Sequence, residues 1–188
     1  MNPFVERIST YAAPLSVDAQ IDVTSHVSHK VFRKGDIINN QGAICKKLYF
    51  IEKGLVKHYY YHNGKRFVIR FFSEGSFFTV LDSFIAQAPA DFTTVALEET
   101  TVHYLDYEEV ERLSKTHHSF DTFIRILYAS AAMHNLQRIK DMFNNDASAL
   151  YQRFVASNPE LVQRITLGDI AGYLGISQVS LSRIRSSK

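Results

Sequence analysis

The sequence is poor in the residues that most constrain small or unusual folds. It has one cysteine, four prolines, eight glycines and no tryptophan in 188 residues. The single cysteine, Cys45, excludes an internal disulfide framework and a cysteine-ligated iron–sulfur cluster within one chain. Proline and glycine are too scarce for a fibrous or disordered protein. Hydrophobic residues make up 46% of the chain, with 14 Phe and 10 Tyr, which is enough for a substantial core.

Targeting signals are lacking as well. No stretch reaches the ~18 consecutive apolar residues that a membrane helix needs. Residues 1–19 lack the basic start and the apolar stretch of a signal peptide. We therefore expect a cytoplasmic protein that does not associate with membranes.

The net charge of +2 is small, but its distribution is uneven. Residues 151–188 carry five basic and two acidic side chains, whereas the first 150 residues carry 16 basic and 17 acidic ones. A basic C-terminal segment fits a nucleic-acid contact, because neutralising phosphates drives non-specific affinity. Charge alone fits an ordinary solvated terminus equally well.

Residues 30–106 have the pattern of an all-β block, with short strands separated by turns, as in a small barrel or roll. Asn63-Gly64 favours a two-residue hairpin turn, since both residues tolerate positive φ. Strands are predicted at 31–32, 48–51, 55–61, 66–72, 77–78, 92–97 and 101–105.

The periodicity becomes helical after Asp106, with a short helix predicted over 107–116. Residues 119–144 contain no Gly or Pro and are apolar every three or four positions, which predicts a helix of about 38 Å. This helix is apolar on more than one side, which favours packing one side on the roll and the other on a second copy of the chain. The alternative is a helix buried wholly within one chain. The predicted dimer interface is Phe120, Phe123, Ile124, Leu127, Ala131, Leu136 and Ile139.

The C-terminal segment carries the strongest motif. Asp146 is a predicted N-cap of a helix that ends before Asn158-Pro159. Thr166 can then cap a helix over 167–174, with Asp169 at the third helical position. Gly175 suits a sharp turn, and Ser177 can cap a second helix. The inner face of this pair is apolar at Ile170, Ala171, Leu174, Ile176, Leu181 and Ile184. This spacing is specific for a helix-turn-helix; the alternative is a plain helical hairpin in a core.

The second helix of this motif has a predicted reading face. The face opposite Leu181 and Ile184 would meet base edges in the major groove. Its members are Gln178, Val179, Ser182 and Arg183. Arg183 can donate two hydrogen bonds to guanine, and Gln178 can pair with adenine. Phosphate contacts are predicted for Thr166, Ser177, Ser180, Arg185 and Lys188.

A β-roll, a long helix and a terminal helix-turn-helix together resemble the Crp/Fnr superfamily of transcription regulators. The SEGSFF stretch at 73–78 and residues 158–185 carry the most specific likeness, and the latter are similar to shorter Bacteroidetes-type members. The resemblance implies an α+β fold with a cyclic nucleotide-binding-like jelly roll and flanking helices over 1–118. It also implies a dimerisation helix over 119–144 and a DNA-binding helix-turn-helix domain over 145–188. Double-stranded DNA, a second copy, RNA polymerase and a small-molecule effector are the implied partners, and no enzyme activity is expected.

The sequence departs from that family in its ligand site and in its helix-turn-helix. Thr79-Val80 replaces the Gly-Glu pair that binds ribose in cyclic-nucleotide-binding members. No arginine lies between Arg70 and Arg112, so a cyclic phosphate would lack its bidentate partner. We therefore expect no cyclic AMP binding of the usual kind, and no cofactor. An apolar or aromatic effector is predicted for a pocket lined by Phe71, Phe72, Phe77, Phe78, Thr79, Leu81, Phe84 and Thr93, although these side chains also suit a plain core.

The helix-turn-helix departs at Val179, where family members often have Glu, and no β-hairpin wing follows Arg185. The operator sequence of those members therefore cannot be transferred to this chain.

Two other functions compete with a dimeric regulator that reads an inverted repeat. A small β-roll also resembles a cupin enzyme, but cupins need a His-x-His pair with a downstream Glu and His. The eight histidines, at 26, 29, 58, 62, 103, 117, 118 and 134, form no such set, so no metal site is expected. The other competitor is a ligand-sensing or protein-interaction module without DNA binding.

Overall fold

The structure, a computed structural model, describes residues 2–12 and 14–186. Its strands are β1 (Ser28–Phe32), β2 (Ile37–Asn39), β3 (Lys47–Lys53), β4 (Val56–His62), β5 (Lys65–Phe72), β6 (Phe77–Phe78), β7 (Thr93–Ala96) and β8 (Thr100–Asp106). Its helices are α1 (Pro3–Tyr11), α2 (Val17–His26), α3 (Leu81–Ala86), α4 (Tyr107–Thr116), α5 (His118–Asn144), α6 (Ala147–Ser157), α7 (Pro159–Arg164), α8 (Leu167–Leu174) and α9 (Gln178–Ser186). The predicted α+β class, with a β-roll, a long helix and C-terminal helices, is confirmed.

The strands form two four-stranded antiparallel sheets. One has the order β1-β8-β3-β6 and the other the order β2-β7-β4-β5. Apolar side chains from both sheets meet between them, including Tyr49, Ile51, Phe72 and Phe78. This arrangement explains the alternating pattern of the strands, since successive residues of a strand face opposite sides.

Helices cover the outer face of the first sheet. Fully buried Phe4 and Ile8 of α1 belong to the same core cluster as Leu48 of β3. The first ten residues of α5 contribute Phe120 and Phe123 to this core. The N-terminal half of α5 is thereby fixed to the roll, while Arg138 in its C-terminal half donates hydrogen bonds to the carbonyls of Val68 in β5 and Tyr173 in α8.

The local signals of the C-terminal segment act as predicted. The Asp146 carboxylate accepts a hydrogen bond from the Ala149 amide at 2.8 Å and caps α6. Gly175 ends α8 in the left-handed region, at φ 71°. A side chain there would strain the backbone.

Three elements were not predicted from the sequence. β2 and α3 are only three and six residues long, too short for a periodic signal. Asn158-Pro159, predicted as the end of a helix, also begins α7, because proline fits the first turn of a helix. Within the described ranges, no helix combines the length and apolar character needed to cross a bilayer.

Candidate nucleic-acid interface and effector cavity

Helices α8 and α9 form a compact helix-turn-helix. Ile170, Ala171 and Leu174 of α8 pack with fully buried Leu181 of α9 in one apolar cluster. Ile184 packs on the same cluster from the last turn of α9. The inner face is therefore the one predicted from the spacing.

The opposite face of α9 is exposed to solvent. Gln178, Val179, Ser182 and Arg183 are all exposed, and Val179 has 62% of its surface accessible although it is apolar. These are the four predicted base-reading residues, and the structure brings them together on one side of a single helix. Such a face can enter a major groove without unfolding any part of the motif.

The five residues predicted to contact phosphates lie in different surroundings. Ser180 and Arg185 are exposed beside the reading face. The Ser177 hydroxyl accepts a hydrogen bond from the Ser180 amide at 3.1 Å and caps α9. The Thr166 hydroxyl accepts from the Asp169 amide and donates to Asp169 Oδ2 at 2.9 Å. Its only donor hydrogen is then used within α8, so Thr166 cannot donate to a phosphate while that bond holds. Lys188 lies outside the described residues.

The helix-turn-helix is docked on the second sheet through a buried ion pair that the sequence did not predict. Lys57 Nζ of β4 lies 2.5 Å from Asp169 Oδ1 of α8, and both side chains are almost fully buried. Arg66 of β5 approaches the same oxygen at 2.9 Å. Burial lowers the pKa of Lys57, and the bond to Asp169 opposes that shift. Asp169 thus joins α8 to β4 and β5, in addition to its part in the N-terminal cap of α8.

A second ion cluster ties α7 to the roll. The Arg164 guanidinium donates to both carboxylate oxygens of Glu74, at 2.7 and 2.9 Å, and to Glu98 Oε1 at 2.5 Å. The hydrogen bonds from Arg164 lower the pKa of Glu74 to about 2. The two carboxylates lie in the turns after β5 and β7, so this cluster spans separate parts of the roll.

Apolar and close backbone contacts complete the docking. Phe71 of β5 packs against the rings of Phe154 and Tyr173, with centroids 6.1 and 5.7 Å away. A Cβ added at Gly172 would lie 2.9 Å from the Arg66 carbonyl oxygen, which shows how closely α8 approaches β5. The helix-turn-helix and the roll therefore share one apolar core.

The predicted dimer-interface residues of α5 fall into two sets, one buried within their own chain and one more exposed. Phe120, Phe123, Ile124 and Leu127 are buried in the core of their own chain, so placing them at the interface was wrong in this structure. They lie on the first turns of α5, where α1 and the first sheet already cover them. Ala131 is half-buried, and Leu136 and Ile139 are exposed by half or more of their surface. This division could not be predicted from the sequence, because both halves of α5 have similar apolar spacing.

The exposed set has further apolar members. Met133, Met142 and Phe143 are all more than half exposed, and Phe143 is 86% exposed. At about 100° per residue, Leu136, Ile139 and Phe143 fall within one narrow stripe of the helix. A stripe of this kind in water is a candidate contact surface.

A cavity of about 670 Å³ lies between the second sheet, α3 and α5. Five of the predicted pocket residues line it: Phe72, Phe77, Phe78, Thr79 and Leu81. Three do not, and their assignment to the pocket was wrong. Phe71 faces the helix-turn-helix, fully buried Phe84 packs against Tyr107, and the Thr93 hydroxyl accepts a hydrogen bond from the Gln41 amide.

The polar lining of the cavity was missed by the sequence analysis. His58 is buried, and its pKa is lowered to about 3 by burial, so it is neutral at pH 7. Its Nε2–H donates to the Thr79 carbonyl, and its Nδ1 accepts from the Thr94 hydroxyl at 2.8 Å. Arg70 of β5 also lines the cavity. Its position two residues before Phe72 in β5 is the signal that could have indicated it, since alternate residues of a strand face the same side.

The roll matches the family of the cyclic nucleotide-binding domain over residues 29–117. The sequence has no significant match among curated proteins. Thr79 lines this cavity, and the neighbouring Val80 is buried.

Most of the chain is similar in structure to several solved bacterial proteins. FixK2 from Bradyrhizobium japonicum matches with a TM-score of 0.72 and 17% identity, over 86% of this chain and 83% of that one. The c-di-GMP responsive global regulator CLP of Xanthomonas campestris gives 0.72 and 13%, over 92% and 91%. A protein from Eubacterium rectale described as a transcriptional regulator of the Crp/Fnr family gives 0.73 and 14%, over 92% and 83%. At such identities the likeness establishes the fold.

Proposed function

We propose that this chain, which carries a cyclic nucleotide-binding domain and has the fold of the Crp/Fnr regulators, is a DNA-binding transcription regulator. One observation carries the proposal above the others. Helix α9 buries Leu181 completely and presents Gln178, Val179, Ser182 and Arg183 to solvent on its other side. Two of the solved structures that it resembles, from Xanthomonas campestris and Eubacterium rectale, are described as regulators, which favours this function over an enzyme.

The chemistry of this face suits base readout. Arg183 offers a planar pair of donors for guanine O6 and N7, and Gln178 can both donate to and accept from adenine. Val179 would contact a thymine methyl group, since it has no polar atom. Ser180 and Arg185 would hold the backbone phosphates on either side.

A dimer makes this small motif effective. One copy with few basic residues would bind DNA weakly, whereas two copies related by a two-fold axis read an inverted repeat. Half-site centres would then lie one helical turn apart, about 34 Å. The exposed stripe of α5 supplies the surface for the pairing.

Replacing Arg183 by alanine should weaken operator binding by about 1–3 kcal/mol and relax the base preference at one position of each half-site. The loss follows because the guanidinium reads a base edge rather than only a phosphate. The measurement is fluorescence anisotropy on a duplex obtained by selection from random DNA. Arg125→Ala is the matched control, since Arg125 is an exposed arginine of α5 far from the motif.

Two results would count against this mechanism. Equal affinity of wild type and Arg183→Ala on the selected duplex would remove the assigned role of α9. Failure of selection to enrich any sequence would favour the alternative of a ligand-sensing or protein-interaction module.

We further propose that cyclic AMP does not control the protein in the usual way. Thr79 and Val80 stand where a ribose-binding Gly-Glu pair would be, and the Thr79 hydroxyl already donates to the Lys47 carbonyl at 2.9 Å. We expect calorimetric titration of the full chain to give no micromolar binding of cyclic AMP. Tight stoichiometric binding would refute this proposal and leave the DNA-binding proposal intact.

A further inference from the structure

The cavity of the roll contains a cation without a counter-ion. Arg70 is half-buried, and its guanidinium forms no hydrogen bond or ion pair with any residue in the described ranges 2–12 and 14–186. The guanidinium carbon lies 4.9 Å from the ring centroid of Phe72, so an aromatic face is its close neighbour. Burial also lowers the pKa of Arg70. The charged group is therefore held in surroundings that disfavour charge.

Such a placement is costly unless a partner completes it. A desolvated charge is unfavourable without hydrogen bonds or an opposite charge. Arginine presents five N–H donors in a fixed plane, and a carboxylate satisfies two of them at once. The geometry of the donor is thus suited to an anion that enters the cavity.

Strand alternation places this arginine on the cavity side, since Arg70 lies two residues before Phe72, and a β-bulge lies directly beside it. The pairing of β4 with β5 passes from His58–Arg70 to Tyr59–Val68, which leaves Ile69 as the extra residue. Arg70 and Phe72 then face the interior, whereas Val68 and Phe71 face the helix-turn-helix. Bulges commonly re-aim side chains beside functional sites.

Among the described residues that line the cavity, no other side chain provides a positive charge for the anion. His58 is neutral because burial lowers its pKa to about 3. Asp82 is exposed on α3, so its carboxylate lies at the solvent side of the cavity. Tyr11, Tyr128 and Ser130 contribute uncharged hydroxyl groups.

The remaining wall is apolar. Its aliphatic and aromatic side chains come from both sheets and from α5, among them Leu48, Ile69, Phe77 and Leu127. The volume of about 670 Å³ falls within the range of small-molecule sites. An occupant would therefore bury an apolar body and need one anionic group.

We propose that this cavity binds a small organic carboxylate with an aliphatic or aromatic body, and that Arg70 pairs with its carboxylate. The apolar body lies among the Phe and Leu side chains and against α5, next to Tyr128 and Ala131. The ligand thereby contacts the helix whose far end carries the exposed apolar stripe. This site does not depend on DNA binding, because the groups that form it lie in the roll and on α1, α3 and α5, outside the helix-turn-helix.

The test is thermal denaturation and calorimetry of the full chain without DNA. The probes are octanoate and 3-phenylpropanoate, each compared with its neutral amide. We expect at least one of the two carboxylates to raise the unfolding temperature and the matching amide to have little effect. Arg70→Met should lower the carboxylate affinity by roughly tenfold or more, since hydrogen bonds to charged groups contribute about 1.5–3 kcal/mol.

The ligand-free protein provides a second, independent readout. Arg70→Met should unfold at a higher temperature than wild type, because it removes an unpaired charge from apolar surroundings. Arg125→Met, at an exposed site on α5, should change neither readout. If Arg70→Met does not fold, Arg70→Gln keeps the polar shape without the charge and serves the same comparison.

Several results would overturn the proposal. One is an equal response to acids and amides, which would make the cavity a neutral apolar site. Others are carboxylate binding that Arg70→Met leaves unchanged, and no binding of either carboxylate. Displacement of a bound carboxylate by lower concentrations of cyclic AMP would assign the cavity to nucleotides instead.

Discussion

Replacing Asp169 by alanine is expected to lower the free energy of unfolding by roughly 3–5 kcal/mol, the cost of breaking a buried ion pair from one side. Lys57 would be left with its ammonium buried against α8 without its carboxylate partner. The cap of α8 would suffer as well, because the Thr166 hydroxyl donates to the same carboxylate. Urea denaturation followed by circular dichroism measures the change.

A matched pair of variants separates the ion pair from general damage. Asp121→Ala removes an exposed carboxylate that pairs with Arg125 on the surface of α5, and should cost less than about 1 kcal/mol. The double variant Lys57→Met with Asp169→Leu should recover most of the loss, since apolar groups of similar volume replace a buried pair without penalty. A loss for Asp169→Ala as small as that for Asp121→Ala would show that the helix-turn-helix is not held by this contact.

The docking contact illustrates what the sequence could not predict. Lys57 and Asp169 are 112 positions apart, and each has an ordinary local explanation, as a strand residue and as a helix-capping residue. Helix bounds, caps and the Gly175 turn were predictable, because they depend on neighbours within about four residues. Contacts between distant elements leave no comparable local pattern.

The residues that line the cavity were also only partly predicted from the sequence. Adjacent strand residues face opposite sides, so Phe71 and Phe72 could not both line one pocket, and only Phe72 does. The extra residue Ile69 then reverses the alternation, which no hydrophobic pattern in β5 indicated. Arg70 lies two residues before Phe72 and on the same side of the bulge, so the alternation that places Phe72 at the cavity places Arg70 there as well. Its position could therefore have been predicted from the sequence.

Replacing Ile139 by glutamate is expected to convert a dimer into a monomer and to weaken binding to an inverted-repeat operator by about 10²–10⁴-fold. Ile139 is half exposed in one chain, beside Leu136 and nearly fully exposed Phe143. If two copies of α5 pack through this stripe, a glutamate there would be buried without a partner, which is strongly unfavourable. The expected loss on DNA is the avidity of two linked reading helices over one.

Two measurements distinguish this outcome from simpler failures. Sedimentation equilibrium gives the mass of the particle, and anisotropy on a single half-site duplex gives the affinity of one helix-turn-helix. We expect Ile139→Glu to sediment as a monomer and to keep the half-site affinity of the wild type, because the variant site lies outside α8 and α9. Lys115→Glu on α4 introduces the same side chain at a 79% exposed position and should remain dimeric. A wild-type chain that is itself monomeric at micromolar concentration, or an Ile139→Glu variant that stays dimeric, would move the proposed interface away from this stripe. The reading face of α9 would stand in either case, since its test requires only one copy.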